Sequence, residues 1–268
     1  MTAAQVFASL HHGTEPFLLP NAWDVASALV FDHAGFLAVG TTSLGITAGA
    51  GLPDGAGAGR ELTLALAAAL IPRLKVPLTV DLEGGYSDEP AEVAALAADL
   101  HRLGVAGINL EDGRADRGLR ARSHHADVLS AVVDAAPGLF VNARTDTWWL
   151  EVGAEQTRLD ETIDRLAAYR DAGASGVFVP GLADPDAAGR IVDVVGLPLN
   201  LLWQPGADLR ALGAAGVARL STGSALYRTA LGAALHTAEA ARAGEEPVDR
   251  AITYQDVQAL LEGKADGS

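Results

Sequence analysis

The chain has 268 residues, 49% of them apolar and 20% charged, and carries a net charge of −15 with a pI near 4.7. That supplies core for one large α/β domain or two small ones. It argues against a nucleic-acid or anionic-membrane partner, either of which needs a basic footprint. There is no cysteine, which excludes disulfides, thiolate metal sites and a cysteine acid or nucleophile, and agrees with a cytoplasmic location. The N-terminus lacks a charged segment leading an apolar run, and no stretch of 18 apolar residues avoids Gly, Pro and charge. Neither a signal peptide nor a membrane span is therefore expected.

Strand-like runs alternate with helix-like periods along the chain. Phe17-Leu18-Leu19 leads through Pro20-Asn21-Ala22-Trp23-Asp24 into a helix carrying Val25, Ala28 and Leu29. Phe36–Val39 is the second strand, running into Gly40-Thr41-Thr42-Ser43, and residues 49–59 read as a flexible loop. A helix around Leu62–Leu70 precedes the third strand, Val76–Asp81. The next helix puts Val93, Leu96, Ala97, Leu100 and Leu103 on one face. Ile108–Leu110 follows, then a helix beginning near Ser123 as a plausible N-cap. Leu139–Arg144, Gly176–Pro180, Leu197–Trp203 and Val217–Leu220 are the remaining strands. Gly35, Gly104, Gly173 and Gly216 fall where helices should end.

Strands this apolar suit a parallel sheet covered on both faces. Eight β-then-α units without a linker predict an α/β chain folded as one (β/α)₈ TIM barrel over residues 1–268, with a doubly wound open sheet as the alternative. Residues 233–263 add helix beyond the eighth unit and suit packing on another subunit.

Two strands end in acids followed by glycines: Asp81-Leu82-Glu83-Gly84-Gly85 and Glu111-Asp112-Gly113. Asp81 and Glu83 are two apart, so continuing β geometry would point them the same way, with Glu111 projecting from the neighbouring strand. Carboxylates gathered without nearby Lys or Arg call for a hard cation. Mg²⁺ suits them better than zinc, and solvated loop acids are the alternative. In a barrel the site lies at the strand C-termini. There the chain carries Asn21, Trp23, Asp24, Thr42, Ser43, Asp81, Glu83, Glu111, Asp112, Asn142, Arg144, Asp146, Pro180, Asn200, Trp203, Ser221 and Thr222. Arg144 ends an apolar strand, where a substrate carboxylate or one of the acids would satisfy it. Trp23, Trp148, Trp149 and Trp203 all fall at or past strand ends, as substrate contacts or as seals between loop and barrel.

Five stretches carry a specific resemblance in their order and spacing: Leu19–Asp24, Gly51–Asp54, Asp81–Tyr86, Gly104–Asp112 and Asn142–Asp146. Over about residues 15–240 the chain resembles the isocitrate lyase and phosphoenolpyruvate mutase superfamily. The resemblance implies a (β/α)₈ barrel whose eighth helix is exchanged between subunits of a homodimer or homotetramer. It implies Asp81 as the direct Mg²⁺ ligand (Mn²⁺ as substitute), with Glu83, Glu111 and Asp54 acting mostly through metal-bound water. Glu83 stands where several members have Asp. Arg144 would hold a small anionic carboxylate substrate, with the Thr42-Ser43-Leu44 backbone at its other end. The implied set is then Arg144, Asp54 and Glu111 as catalytic groups and Asp81, Glu83 and Glu111 around the metal. Trp23, Thr42, Ser43, Leu44, Asn142, Arg144 and Trp203 would line the substrate.

Two departures narrow the activity. The Lys-Cys-Gly-His-type loop of isocitrate and methylisocitrate lyases is replaced by the shorter Gly113–Arg122, without cysteine. The mutase's Lys- and Asn-bearing loop is also missing, and Pro180 stands where that group has histidine. What remains is a Mg²⁺-dependent carbon–carbon lyase on a small α-oxo or α-hydroxy acid, working through an enolate. The alternatives are a hydrolase or phosphonomutase on a C–P or oxaloacetate-like substrate, and a non-catalytic carboxylate-binding barrel. Arg114, Arg117, Arg120 and Arg122 form either a lid over a second carboxylate or a solvated basic loop. His124 and His125 are the nearest substitutes for the missing acid, and a surface helix start explains them equally well.

Overall fold

The computed structural model describes residues 1–55, 57–246 and 252–262. Its nine strands are all parallel, in the order β1-β9-β8-β7-β6-β5-β4-β3-β2. They are β1 (Phe17–Leu19), β2 (Asn21–Ala22), β3 (Val39–Thr41), β4 (Leu78–Asp81), β5 (Gly107–Glu111), β6 (Phe140–Arg144), β7 (Gly176–Val179), β8 (Leu199–Leu202) and β9 (Val217–Ser221). The two outermost strands are halves of one, divided at Pro20, which has no N–H for a ladder. β1 pairs with β9 and β2 with β3. Gly40 N–H donates to Pro20 O at 2.9 Å, and Thr222 N–H donates to Leu19 O at 3.1 Å. The divided strand thus brings the two edges together and completes a (β/α)₈ barrel.

Helices α2 (Val25–His33), α4 (Arg60–Leu70), α5 (Pro90–Leu103), α6 (Arg122–Ala135), α7 (Glu155–Asp171), α8 (Pro185–Val195), α9 (Leu209–Ala214) and α10 (Ala225–Ala243) form the outer layer. Apart from α10, their apolar faces meet the outward side chains of the strands, such as Val80, Ile108, Leu110, Val141, Val177 and Leu201, in one continuous core. Local chemistry sets their ends. Asp24 caps α2 in a capping box with Ser27, and Pro90 and Pro185 open α5 and α8, where the missing N–H costs nothing. Gly35, Gly104, Gly173 and Gly216 take φ between 83° and 103° at helix ends, as the sequence predicts.

The inward side chains are layered. At the N-terminal end, α1 (Ala3–Ser9), capped by Thr2 and Gln5, plugs the barrel with Phe7 against Leu19 and Phe140. A Cβ at Gly107 would stand 2.9 Å from Phe140 O and 3.0 Å from Phe7, so the plug needs glycine there. Above it lies a polar layer. All four asparagines of the chain, Asn21, Asn109, Asn142 and Asn200, are buried, together with Arg219.

Several local expectations change. Ser43–Gly49, read in part as strand end and loop, forms helix α3, and the second strand starts at Val39, three residues late. Ser123 is not a cap: α6 starts at Arg122 behind Ala121, without a side-chain cap. Residues 233–243 belong to α10, which follows β9 directly as the helix of the eighth unit. α11 (Tyr254–Leu261) lies against α2. The parts of the 233–263 segment at 247–251 and 263 lie outside the described residues. None of the residues of α10 is buried, and Leu231 and Leu235 are more than half exposed. Among the described residues no helix is long and apolar enough to cross a membrane.

Candidate active site

The C-terminal mouth of the barrel holds a cleft of about 530 Å³ and, beside it, a pocket of about 110 Å³. Ser43, Asp54, Arg144 and Trp149 line both. Asp81 is the last residue of β4: its N–H donates to Thr41 Oγ1 at 3.0 Å, and its Oδ2 accepts from Ser43 N–H at 3.4 Å. Glu83 also reaches the cleft, but not by strand alternation. β4 has already ended, and Glu83 sits in a left-handed turn at φ 51°. The pleat argument therefore fails for this pair, and the turn orients the carboxylate instead. Its Oε1 is buried without a hydrogen-bond partner.

Arg144, at the end of β6, lies opposite Glu111 in the ladder. Its Nη1 is 2.6 Å from Glu111 Oε2, while Nε and Nη2 reach the two Asp146 oxygens at 2.6 and 3.0 Å. Two guanidinium N–H groups are thus hydrogen-bonded to Asp146, and Nη1 meets Glu111 as an ion pair.

Asp112 is a support and not a surface acid. Fully buried, it accepts from Tyr169 Oη at 2.6 Å, Thr145 Oγ1 at 2.8 Å, Asp146 N–H at 2.9 Å and Arg165 Nη1 at 3.2 Å. These bonds hold Asp146 where it clamps Arg144. The basic loop is likewise tied down. Arg120 is buried and donates to Gly84 O, Ser87 O and Asp88. Arg114 pairs with the same Asp88, and Arg122 with Asp164. Arg114 and Arg120 still line the larger cleft.

Of the other candidates, Thr42, Ser43, Leu44, Asp54 and Asp81 line the small pocket with Phe178, Pro180, Leu202 and Ser221. Trp149 is the tryptophan of the site. Trp23 instead packs over Gly45 and Tyr227, and Trp203 packs on the core; neither lines the cleft or the pocket. Asp24 is used as a helix cap. Asn142 is buried, donating to Asn109 Oδ1 at 2.8 Å. His125 is buried against Arg120 and Tyr169, and His124 meets Asp88 O; neither lines the cleft or the pocket. Sequence reasoning missed Asn109, Tyr86 and Arg219. A charge within the apolar run of β9 was the available signal for Arg219, the same signal that singled out Arg144.

Burial dominates the acids. It raises Asp81, with Asp54 adding to the effect and Arg144 opposing it. It pushes Glu83 up to about 7, aided by Asp54 and Asp81. It holds Glu111 well above the usual carboxylate range despite Arg144. For Arg144, burial works against the charge, but Asp146, Glu111 and Asp81 outweigh it and raise its proton affinity. Burial alone lowers Arg219 to about 9.

Five carboxylates (Asp54, Asp81, Glu83, Glu111, Asp146) therefore share the mouth with one guanidinium, Glu111 and Asp146 in contact with it. Among the described residues no three acid or imidazole side chains converge closely enough to ligate one ion directly. The donor set and the orphaned Glu83 oxygen suit a hard cation bound directly by one carboxylate and through water by the others.

The family described as phosphoenolpyruvate phosphomutase matches residues 7–242. An uncharacterized protein of Mycobacterium tuberculosis is 46% identical over 255 residues, 95% of each chain. A Burkholderia cenocepacia J2315 structure, provisionally described as a lyase or mutase, superposes with TM-score 0.86 at 34% identity, covering 97% of this chain and 95% of that one. Oxaloacetate acetylhydrolase in complex with its product oxalate superposes with TM-score 0.84 at 25% identity, covering 97% and 93%. A 2-methylisocitrate lyase of Salmonella typhimurium is 26% identical over 206 residues, and a phosphonopyruvate hydrolase shares the fold. With the match spanning nearly all of the barrel, the chain belongs to the phosphoenolpyruvate phosphomutase family, within the isocitrate lyase and phosphoenolpyruvate mutase superfamily of enzymes.

Proposed function

We propose that this chain is a cytoplasmic, divalent-cation-dependent lyase that cleaves a carbon–carbon bond of a small α-oxo or α-hydroxy carboxylic acid through an enolate. The observation that carries the reading is that four buried or half-buried carboxylates, Asp81, Glu83, Glu111 and Asp146, and the exposed Asp54 share the barrel mouth with Arg144, lining the cleft and the pocket of about 110 Å³ beside it. The N–H groups of Arg144 that Asp146 does not occupy hold the substrate carboxylate, and the backbone at Thr42, Ser43 and Leu44 meets the opposite end. Asp81 would hold Mg²⁺, or Mn²⁺ in its place, and Glu83, Glu111 and Asp54 would assist through metal-bound water. A bound cation would supply positive charge against the developing enolate oxygen. Asp146, fixed by Asp112, keeps Arg144 in place as the carboxylate arrives and leaves.

Phe178, Pro180, Leu202 and Trp149 give the pocket an apolar wall. That wall favours a branched or longer acid over plain oxaloacetate. The likeness to oxaloacetate acetylhydrolase supports a second reading, hydrolysis of an oxaloacetate-like substrate.

The test is a thermal-shift titration with Mg²⁺, oxalate and both together, followed by turnover assays on a panel of α-hydroxy and α-oxo acids. Joint stabilisation by Mg²⁺ and oxalate, and release of pyruvate or another oxo acid that EDTA and Asp81→Ala both abolish, are expected. Acetate or phosphate as product would favour the hydrolytic reading, and binding without turnover would favour a non-catalytic barrel. We propose further that α10, with no buried residue of its own, packs on a neighbouring subunit of a dimer or tetramer. A monomer in sedimentation equilibrium would refute that.

A further inference from the structure

We propose that Asn109 donates its side-chain amide N–H to an oxygen of the substrate carboxylate on the floor of the small pocket, and that Arg219 is the positioning residue that turns the amide that way. The inference rests on reading the pocket as a carboxylate-binding site, and it adds a recognition element that none of the acids or Arg144 provides.

Asn109 is 5% exposed and lines the small pocket together with Arg144, Asp81 and Ser43. Its Oδ1 accepts from Asn142 Nδ2 at 2.8 Å and from Arg219 Nη2 at 3.2 Å. Arginine has donors and no acceptor, so only the carbonyl end of Asn109 can face Arg219. The orientation of the amide is thereby decided chemically, although a side-chain amide is otherwise ambiguous. Among the described residues its Nδ2 has no partner, and the residue borders the pocket. A donor unpaired in the protein and facing a ligand pocket offers a hydrogen bond to a ligand oxygen.

Arg219 is a costly way to fix one amide unless the amide matters. It is completely buried and has no carboxylate against it. Its other neighbours are His11 Nε2 at 3.5 Å and the ring of Phe7 at 5.7 Å, and its Nε has no partner. A guanidinium buried among neutral groups is normally disfavoured. Here it also leaves a positive charge directly behind the Asn109 amide, polarising the N–H that points away from it.

The test measures Mg²⁺-dependent oxalate affinity by calorimetry in the wild type, Asn109→Ala, Arg219→Gln and the double variant. Loss of a hydrogen bond to a charged ligand is expected to weaken oxalate binding about tenfold in Asn109→Ala. Glutamine can accept as well as donate, so Arg219→Gln frees the amide to flip and should weaken binding severalfold. It should do so only while Asn109 is present, the double variant matching Asn109→Ala alone. Additive losses would overturn the positioning role, and an unchanged affinity in Asn109→Ala would overturn the contact. If the wild type binds no oxalate with Mg²⁺, the carboxylate-site reading fails, and the inference fails with it.

Should Arg219→Gln not fold, the wild type provides a second readout. With asparagine selectively ¹⁵N-labelled, the four asparagines give four side-chain amide pairs. The pair missing in Asn109→Ala should shift most when oxalate is added with Mg²⁺, and no shift there would overturn the contact.

Discussion

Replacing Glu83 by glutamine is expected to stabilise the metal-free protein while abolishing its response to Mg²⁺. Burial, with Asp54 and Asp81 nearby, pushes the Glu83 carboxyl from an ordinary 4.5 up to about 7. Between those values the folded chain holds a proton that the unfolded chain has released, so stability falls as pH rises through that window. Above pH 7 the full displacement costs the metal-free protein about 3 kcal/mol, and the water of the open cleft trims this to about 1–3 kcal/mol. Glutamine cannot ionise and escapes the cost. For a domain of this size each kcal/mol is worth about 2–4 °C, so in EDTA at pH 8 Glu83→Gln should melt roughly 2–12 °C above the wild type. At pH 5, close to the unfolded value of 4.5, most of the difference should be gone. Mg²⁺ at pH 8 should raise the wild-type Tm and leave that of the variant nearly unmoved. Scanning calorimetry from pH 5 to 9, with EDTA and with Mg²⁺, reads all three. A variant no more stable than the wild type at pH 8 in EDTA, or a difference independent of pH, would refute the reasoning that desolvated carboxylates await a cation.

The other predictions concern the supports and the pocket wall. Asp112→Ala strands Tyr169, Thr145, Arg165 and the Asp146 N–H together, and should cost about 3–5 kcal/mol in urea unfolding; a loss below about 1 kcal/mol would show that Asp112 is no hub. A Cβ at Gly113 would overlap Asp146 Oδ2, so Gly113→Ala should displace the clamp on Arg144 and weaken oxalate binding about tenfold or more, read by calorimetry. Trp149 borders both cavities and Trp203 neither, so Trp149→Ala should change the chain-length preference among acid ligands while Trp203→Ala leaves it alone. The reverse pattern would move the apolar wall elsewhere.

The barrel was legible because its signal is repeated and local. Apolar runs such as Val177–Val179, periodic helices such as 90–103 and glycines at helix ends each report on their own neighbourhood, and eight repetitions admit few architectures. Asp81, Glu111 and Arg144 were legible for a related reason. Charges at the ends of apolar strands are costly, so they stand out. The division of the first strand at Pro20 and helix α3 escaped notice because both depend on how the barrel edges meet.

The roles within the site depended on contacts across long stretches of chain. Asp112 reads in sequence as the twin of Glu111, yet alternation turns it outward to Arg165 and Tyr169, more than fifty residues away. Trp23 and Trp203 end strands as Trp149 nearly does, yet only Trp149 borders the cleft. The basic loop reads as a lid until Asp88 and Asp164 are seen to occupy three of its arginines. By itself the sequence determined most of the elements, their order, a parallel sheet best read as a barrel and the mouth at which its charges gather, since periodicity and the cost of burying charge act over a few residues. Tertiary structure alone decided which acids face the cleft, which one braces Arg144 and which amide Arg219 turns, because hydrogen-bond partners are set by register between strands that the chain brings together only on folding.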